Sequence, residues 1–384
     1  MNPNRHTTGA AFAAAACLCV LGVILTAGLW PFHVPANQVK WLRDSDGLEF
    51  GPHGSAISLG FIRPRGLINS LATLEVWLEP AHSEASGTIL AFDASAHPGE
   101  PFSLHQVRDA LVIRRNNVDP QGISRTELFD LDRVFHQGTP VFLTVCLDGA
   151  GTSVYLNGEF SKGSYLSGTW NDLTGRLVLA NLPTNNDSWS GTIRGLAIYQ
   201  QKLTAWQIAA GYRDWTERRK VMFAAGQGAD ALYMFDERGG RVVHNRSGGG
   251  ANLIIPAHYF ILHPEFLRLP WKGYHPKWSY WQDIALNIAG FVPLGFCACA
   301  SLSLIRFRHP GIAALVLGLL ASLVIELIQT LLPTRLSDLT DVITNTLGTA
   351  IGVTMWYAGS ESRQTLAGHT RDQSCRSTIV VSPP

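Results

Sequence analysis

The sequence predicts a multi-domain protein: an all-α, four-helix membrane domain into which a large all-β sandwich is inserted. Long apolar runs lie near the amino terminus and again between residues 284 and 357. In the middle of the chain, apolar and polar residues alternate within short segments that are separated by turn residues. Because about 20 apolar residues span the ~30 Å hydrocarbon core of a bilayer, the long runs indicate membrane helices. The chain has 384 residues, which is enough for roughly two or three domains.

The first predicted element is a membrane helix at the amino terminus, within residues 1–32. A short polar start containing Arg5 is followed by the apolar run Gly9–Trp30. This run is longer than the roughly 7–15-residue core of a cleaved signal peptide, which favours a retained helix. Arg5 places the amino terminus in the cytoplasm, because short cytoplasmic segments are enriched in Lys and Arg.

The sandwich is predicted over residues 45–252, and residues 32–65 are expected to be irregular because they are rich in Gly and Pro. The dipeptides Asp148-Gly149 and Asn157-Gly158 lie between apolar runs and are strong hairpin signals. Short strands separated by such turns are typical of a β-sandwich, and a helix over Leu203–Arg219 is expected to close it. The predicted strands are Leu71–Leu78, Thr88–Phe92, Leu104–Val107, Ala110–Arg115, Val141–Leu147, Thr152–Leu156, a strand from Glu159, Leu177–Ala180 and Gly191–Tyr199.

The membrane region resumes after an aromatic juxtamembrane linker, residues 253–282, which is rich in Trp, Tyr and Pro. Aromatic side chains in this position form an interfacial belt. Three further spans are predicted within residues 283–358: Ile284–Ile305, Gly311–Leu332 and Leu339–Tyr357. The link between the first two holds Arg306, Arg308 and His309 and is therefore expected to be cytoplasmic. Residues 359–384 are polar and are predicted to be a disordered cytoplasmic tail.

Polar and charged side chains recur at the opposite, extracytoplasmic end of these spans. Their offsets of three, four and seven residues put them on common helix faces. Intramembrane polar groups are costly, so they indicate a functional site, although helix capping or structural hydrogen bonding is an open alternative, above all for Asp338. Arg335 is expected to offset part of the repulsion between the carboxylates, and Gly348 and Gly352 should let another helix approach closely. The predicted ligand-binding residues are Asp283, Asn287, Glu326, Gln329, Arg335, Asp338, Asp341 and Asn345.

These positions carry a resemblance to a known family. Asp283-x3-Asn287-x2-Gly290-Phe291-Val292-Pro293-Leu294-Gly295-Phe296 resembles the second-helix signature of the VanZ-like membrane family. Glu326-x2-Gln329-x5-Arg335-x2-Asp338-x2-Asp341-x3-Asn345-x2-Gly348 resembles its third and fourth helices. The resemblance covers residues 9–32 and 278–358. It implies a cell-envelope protein associated with low-level resistance to glycopeptide antibiotics such as teicoplanin, and it implies no molecular activity.

The middle of the chain, residues 45–215, resembles a laminin G-like, concanavalin A-type jelly roll. The resemblance is carried by Val154-Tyr155-Leu156-Asn157-Gly158-Glu159 and by the run from Trp189 to Tyr199. The paired carboxylates that related glucanases carry on one strand for hydrolysis are not found, so carbohydrate or protein binding is favoured. Two sets of side chains leave alternatives open: Trp77, Trp170 and Trp189 for sugar stacking or core packing, and Asp172, Asn185, Asn186 and Asp187 for calcium or ordinary turns.

Composition and compartment limit the function. The net charge is +1 and no basic block stands out, so nothing indicates nucleic acid. The favoured hypothesis is a multi-pass protein of the cytoplasmic (inner) membrane, with its sandwich extracytoplasmic, that binds a membrane lipid headgroup, an envelope glycan or a lipid-linked precursor. The alternative is a membrane enzyme in which Glu326, Asp338 and Asp341 hold a divalent cation, Ca or Mg, or act as acid and base, while Arg335 contacts a phosphate or carboxylate of the substrate. Ion movement is least favoured, because no carboxylate lies in the cytoplasmic half of the spans.

Overall fold

A computed structural model describes residues 3–62, 70–93, 102–118, 124–217, 228–248, 250–270 and 278–377. The chain forms two compact units, one of Met1–His33 with Glu265–Pro384 and one of Val34–Pro264. The second unit is wider than the predicted sandwich because a segment after residue 252 packs on it: Tyr259 is fully buried, and His263 lies 3.0 Å from a carboxylate oxygen of Asp93. Part of the predicted aromatic linker, residues 271–277, and the end of the predicted tail, residues 378–384, lie outside the described residues.

The described residues contain five α-helices. They are α1 (Pro3–Leu29), α2 (Ala205–Thr216), α3 (Trp278–Leu304), α4 (Pro310–Gln329) and α5 (Leu339–Ser377). A 3-10 helix covers Trp170–Leu173. The predicted tail is corrected here, because α5 continues to Ser377 instead of ending near Tyr357. No proline interrupts this stretch, and its Leu, Ala, Gln, Glu and Arg residues are good helix formers.

The sandwich unit consists of two antiparallel sheets. The strand bounds are β1 (Val39–Trp41), β2 (Leu48–Phe50), β3 (Ala56–Ser58), β4 (Ala72–Pro80), β5 (Ser86–Asp93), β6 (Phe102–Val107), β7 (Ala110–Val118), β8 (Ser124–Leu131), β9 (Val141–Asp148), β10 (Gly151–Leu156), β11 (Glu159–Ser164), β12 (Arg176–Leu179), β13 (Gly191–Tyr199), β14 (Ala231–Tyr233), β15 (Val242–Val243) and β16 (Leu253–Ile254). The first sheet has the strand order β1-β2-β13-β4-β9-β10-β11, with β14 paired to β13, and the second has the order β15-β16-β3-β12-β5-β6-β7-β8.

Alternation along the strands builds the core between the sheets. On β4, Leu74, Val76 and Leu78 are fully buried in the main apolar cluster. The β10–β11 hairpin turns at Asn157 and Gly158, whose φ angles of 52° and 85° are the left-handed values that a two-residue hairpin turn requires. All of the predicted strands are present, and the bounds of β13 coincide with the prediction. The all-β sandwich is therefore confirmed.

The stretch predicted to be irregular is corrected by the structure. Residues 32–65 contain β1, β2 and β3, each of three residues. Strands this short show no recognisable alternation, and they form because β2 pairs with β13 and β3 pairs with β12.

The formation of α2, by contrast, follows a local signal. The side chain of Thr204 accepts the N–H of Gln207 and so caps the helix. The helix buries Ile208 and Trp215 against the outer face of the first sheet.

Three of the described helices are long and apolar enough to cross a membrane: Gly9–Leu29, Tyr280–Leu304 and Pro310–Gln329. The predicted fourth span, at the start of α5, is not among them, because Thr, Asp and Asn side chains occupy much of its first half. This helix still packs in the bundle, with Thr344, Asn345 and Thr349 buried. The membrane region is therefore helical as predicted, with a fourth helix that is more polar than the other three.

The helical unit buries polar side chains beside its apolar clusters and exposes many large apolar side chains. Along α4, Ser322, Glu326 and Gln329 are buried, whereas Val324 and Leu327 are exposed. A protein folded in water shows the opposite arrangement, because burying apolar side chains drives its folding. The arrangement here suits hydrocarbon, where apolar side chains face lipid and polar groups must find partners within the protein.

Glycines set the contact between α3 and α5. A Cβ atom added at Gly348 would lie 2.3 Å from the backbone oxygen of Ile288, and one at Gly352 would lie 2.1 Å from that of Val292. On the facing helix, a Cβ at Gly295 would lie 2.1 Å from the backbone oxygen of Thr349. The predicted close approach through Gly348 and Gly352 is therefore confirmed, with α3 as the partner helix.

Candidate functional site

A cavity of about 740 Å³ lies at one end of the helical bundle. Because helices that follow one another in this bundle run in opposite directions, it is formed by the carboxyl ends of α1 and α4 and the amino-terminal parts of α3 and α5. The structure brings all of the residues predicted for the site together around this cavity. They are Asp283, Asn287, Glu326, Gln329, Arg335, Asp338, Asp341 and Asn345.

Glu326 links α4 to the start of α5. Its side chain is 1% exposed, and its Oε2 accepts a hydrogen bond from the backbone N–H of Asp338 at 2.8 Å. This N–H belongs to the residue before the helix, so the carboxylate also lies beside the positive end of the α5 dipole. The backbone at the start of α5 therefore fixes the position of the Glu326 carboxylate in the cavity wall.

Asp338 caps α5, which confirms the capping alternative for this residue. Its Oδ1 accepts the backbone N–H of Thr340 at 2.9 Å. Its Oδ2 lies 3.8 Å from Nε of Arg268. The capping role does not remove Asp338 from the cavity, because its carboxylate lines the wall together with Arg268.

Arg268 is the cavity residue that sequence reasoning missed. It lies within the predicted linker, outside every apolar span, and has no periodic pattern around it. Its backbone pairs with the start of α5: its N–H donates to the carbonyl of Ser337 at 2.9 Å, and its carbonyl accepts the N–H of Leu339 at 3.0 Å. No local signal in the sequence marks Arg268, because its contact with Asp338 joins segments that lie about 70 residues apart.

The amides of the cluster hold the helices together. Asn287 donates through Nδ2 to Oδ1 of Asp341 at 2.8 Å, and Asn345 donates to Oγ of Ser322 at 3.0 Å. Gln329 donates to the carbonyl of Gly28 on α1 at 2.9 Å. The oxygens of these last two amides, Oε1 of Gln329 and Oδ1 of Asn345, are buried and have no hydrogen-bond partner among the described residues.

Arg335 makes its hydrogen bonds to backbone, and the expected offset of the repulsion between the carboxylates stays a prediction. Instead of pairing with the carboxylates, it donates from Nε at 3.0 Å, and also from Nη2, to the carbonyl of Trp30. Over the described part of the chain, it forms no ion pair with any carboxylate. The reason is positional: Arg335 lies in the turn before α5, beside the end of α1, and Arg268 takes the place next to Asp338.

A metal site is not supported by the side-chain arrangement. In the described ranges, no group of three or more His, Cys, Asp or Glu side chains is placed to hold a metal ion. Glu326, Asp338 and Asp341 line one cavity, yet each has a hydrogen-bond partner in the protein. The divalent cation of the alternative enzyme hypothesis therefore has no preformed ligand set among the described residues.

Two of the three tryptophans considered for sugar stacking lie in the core of the sandwich. Trp170 and Trp189 are 0% and 1% exposed and belong to the main core, which excludes them as sugar platforms. Trp77 is half-buried, with the guanidinium of Arg194 5.8 Å from its ring centre.

Three of the four residues considered for calcium, all except Asn185, form hydrogen bonds or an ion pair within the sandwich unit. Asp172 lies 3.0 Å from Nε of Arg115, Asp187 accepts from Thr88 at 2.6 Å, and Asn186 accepts from Tyr259 at 2.7 Å. These contacts favour the ordinary structural alternative over calcium.

The fold and the cavity define this chain as a membrane protein that carries a β-sandwich unit after its first helix. A family model described as VanZ/LLP1 matches residues 232–360. A model described as the Concanavalin A-like lectin/glucanases superfamily matches residues 61–209. The chain therefore combines a VanZ-like region with a concanavalin A-like domain, and both predicted resemblances are confirmed. The VanZ-like match begins earlier than expected, and it does not include α1.

Two solved structures resemble this chain at low sequence identity. A Bacteroides ovatus ATCC 8483 protein whose name refers to carbohydrate binding is 15% identical, with a TM-score of 0.39, over 56% of this chain and 61% of that one. The receptor binding domain of botulinum neurotoxin C/D mosaic serotype is 14% identical, with a TM-score of 0.35, over 46% of this chain and 45% of that one. The chain thus spans about half the length of such structures. None of the curated proteins matches it.

Proposed function

We propose that this protein binds the polar headgroup of an envelope lipid or lipid-linked glycan in the cavity at the end of its helical bundle. One observation carries the proposal: the cavity is amphipathic. Ile24, Ile284, Leu286 and Phe291 supply apolar walls, and the predicted polar cluster supplies the rest. Such a cavity at a bundle end suits a molecule with an apolar tail and a polar head, because each part meets surroundings of its own polarity.

The location follows from charge. The link between α3 and α4 holds Arg306 and Arg308, and short basic links lie in the cytoplasm. The cavity is at the other end of these helices, so we place it at the outer leaflet of the cytoplasmic membrane. The sandwich follows the end of α1 in the chain and is then extracytoplasmic, where it would bind an envelope glycan or a protein.

This arrangement supports a role in low-level glycopeptide resistance, as the VanZ-like region suggests, through shielding or sequestration of an envelope component. Binding is favoured over catalysis because the carboxylates proposed as catalytic groups are already used by the protein. Glu326 accepts a backbone N–H, Asp338 caps a helix, and Asp341 accepts from Asn287.

The test is the antibiotic susceptibility of cells that express Glu326→Gln, Asp341→Asn and the double variant, normalised for protein in the membrane. Each single variant should reduce resistance strongly, and the double variant should cost less than the sum, because residues that share one site are not additive. Glu361→Gln, an exposed carboxylate on the same helix as Asp341, serves as the matched control and should act like the parent. If cells with the double variant were as resistant as cells with the parent protein, the proposed site would be wrong.

A further inference from the structure

We infer that the headgroup bound in this cavity is zwitterionic: it carries a phosphate that contacts the arginines and an ammonium group that contacts Asp283 and Asp341. This inference rests on the proposed lipid-binding function. It goes further by assigning the chemical class of the ligand, an aminophospholipid-like amphiphile. It follows from the charges of the cavity and from the partners that those charges have.

The cavity holds a surplus of negative charge. Its lining contains more carboxylates than guanidinium groups, namely Asp283, Glu326, Asp338 and Asp341 against Arg268 and Arg335. Asp338 has Arg268 beside it. Within the described residues, no cation forms an ion pair with Asp283 or Asp341. Carboxylates near hydrocarbon are costly without a counter-charge, so this part of the cavity is complementary to a cationic group.

Asp283 and Asp341 are positioned to share one cation. Asp283 lies one helical turn before Asn287 on the same face of α3, and Asn287 donates to Asp341 at 2.8 Å. Asp283 thus lies on the helix face that carries the Asn287–Asp341 contact, and Asp283 and Asp341 line the same cavity. A compact ammonium group with several N–H donors suits this position.

The neutral acceptors of the cavity point to the same class of ligand. Oε1 of Gln329 and Oδ1 of Asn345 have no partner among the described residues, and the two side chains are only 7% and 5% exposed. Oγ1 of Thr340, which also lines the cavity, is in the same situation. Buried acceptors without donors cost free energy, and the N–H groups of an ammonium headgroup would satisfy them.

The arginines supply the complementary half. Arg335 is anchored on the Trp30 carbonyl, which orients its guanidinium but does not neutralise its charge. A guanidinium has five N–H donors, so donors remain for an oxyanion. Nε of Arg268 is buried and has no hydrogen-bond partner in the described parts of the chain. Because arginine matches the geometry of phosphate oxygens, the two guanidinium groups suit a phosphodiester.

The experiment measures binding of short-chain lipids to the purified full-length protein in a non-ionic detergent. The probes are dihexanoyl phosphatidylethanolamine, which is zwitterionic, and dihexanoyl phosphatidylglycerol, which has the phosphate without the amine. The first should bind more tightly by about ten-fold, the lower end of what a close charge pair contributes at an interface. Phosphoethanolamine without acyl chains should bind much more weakly than the lipid.

Variants separate the two halves of the headgroup. Asp283→Asn and Asp341→Asn should each lower the ratio of phosphatidylethanolamine affinity to phosphatidylglycerol affinity, and Arg335→Gln should weaken the binding of both lipids. Glu361→Gln is the control, and the helical circular dichroism of each variant reports folding. Equal binding of the two lipids by the parent would overturn the zwitterion and leave lipid binding intact. Absence of binding by either lipid would overturn the proposed function itself, and tight binding of phosphoethanolamine alone would show a soluble ligand instead of a lipid.

Discussion

Replacing Glu75 by Gln should change how the stability of the sandwich depends on pH. Glu75 lies on β4 under α2, and its side chain is fully buried. Its Oε2 accepts hydrogen bonds from Tyr199 at 3.0 Å and from Trp215 at 3.3 Å, and its Oε1 has no partner among the described residues. Burial disfavours the charged form, and it raises the pKa of Glu75 from 4.5 to about 7 in spite of these two hydrogen bonds.

The sign and size of the effect follow from proton binding. Between pH 4.5 and about 7, the folded sandwich holds a proton on Glu75 that the unfolded chain has released. The free energy of unfolding should therefore fall as pH rises through this window, by ~3 kcal/mol in total. Burial lowers the pKa of His105, which contributes a slope of the opposite sign. Because the parent and Glu75→Gln share His105, the difference between them isolates Glu75.

The assay is urea unfolding of residues 34–264, followed by tryptophan fluorescence from pH 4 to about 8, a range that covers both pKa values. The difference in unfolding free energy between Glu75→Gln and the parent should rise with pH by ~3 kcal/mol. Glu159→Gln, at an exposed position on β11, is the control and should follow the parent. A constant difference between Glu75→Gln and the parent across this range would refute the reasoning.

Three further predictions follow from the fold. The substitution Gly352→Leu should lower the stability of the detergent-solubilised protein by at least about 1–3 kcal/mol, because its Cβ would lie 2.1 Å from the backbone of α3. The control Gly359→Leu should be tolerated, because nothing lies within 4 Å of a Cβ at that position. Equal thermal stability of the two variants would contradict this packing. A reporter that works only outside the cytoplasm should be active when fused after Thr216 and silent after Gly359, and the reverse pattern would overturn the outer-leaflet placement. Residues 34–264 should be soluble and β-rich on their own; if this fragment unfolds cooperatively yet binds nothing on a glycan array, the lectin hypothesis loses its main support.

Local patterns in the sequence determined most of the architecture. Apolar runs of membrane length predict α1, α3 and α4, because the length of such a run is a property of the sequence alone. Turn dipeptides and alternation predict the longer strands, including the full extent of β13. The polar cluster was predictable for the same reason: offsets of three, four and seven residues are local, and they put Asp283, Glu326 and Asp341 on faces that the bundle then brings around one cavity.

The partners of these residues were decided by tertiary structure only. Arg335 donates to the carbonyl of Trp30. Arg268 lies beside the carboxylate of Asp338, although the two residues are about 70 positions apart in sequence. The same holds for the burial of Trp170 and Trp189 and for the three-residue strands β1 to β3. A sequence pattern records the periodicity of one segment, whereas a hydrogen bond or a packed ring depends on which distant segment folds against it. The longer helices and strands could therefore be predicted from the sequence, whereas the hydrogen bonds and ion pairs of the cavity could not.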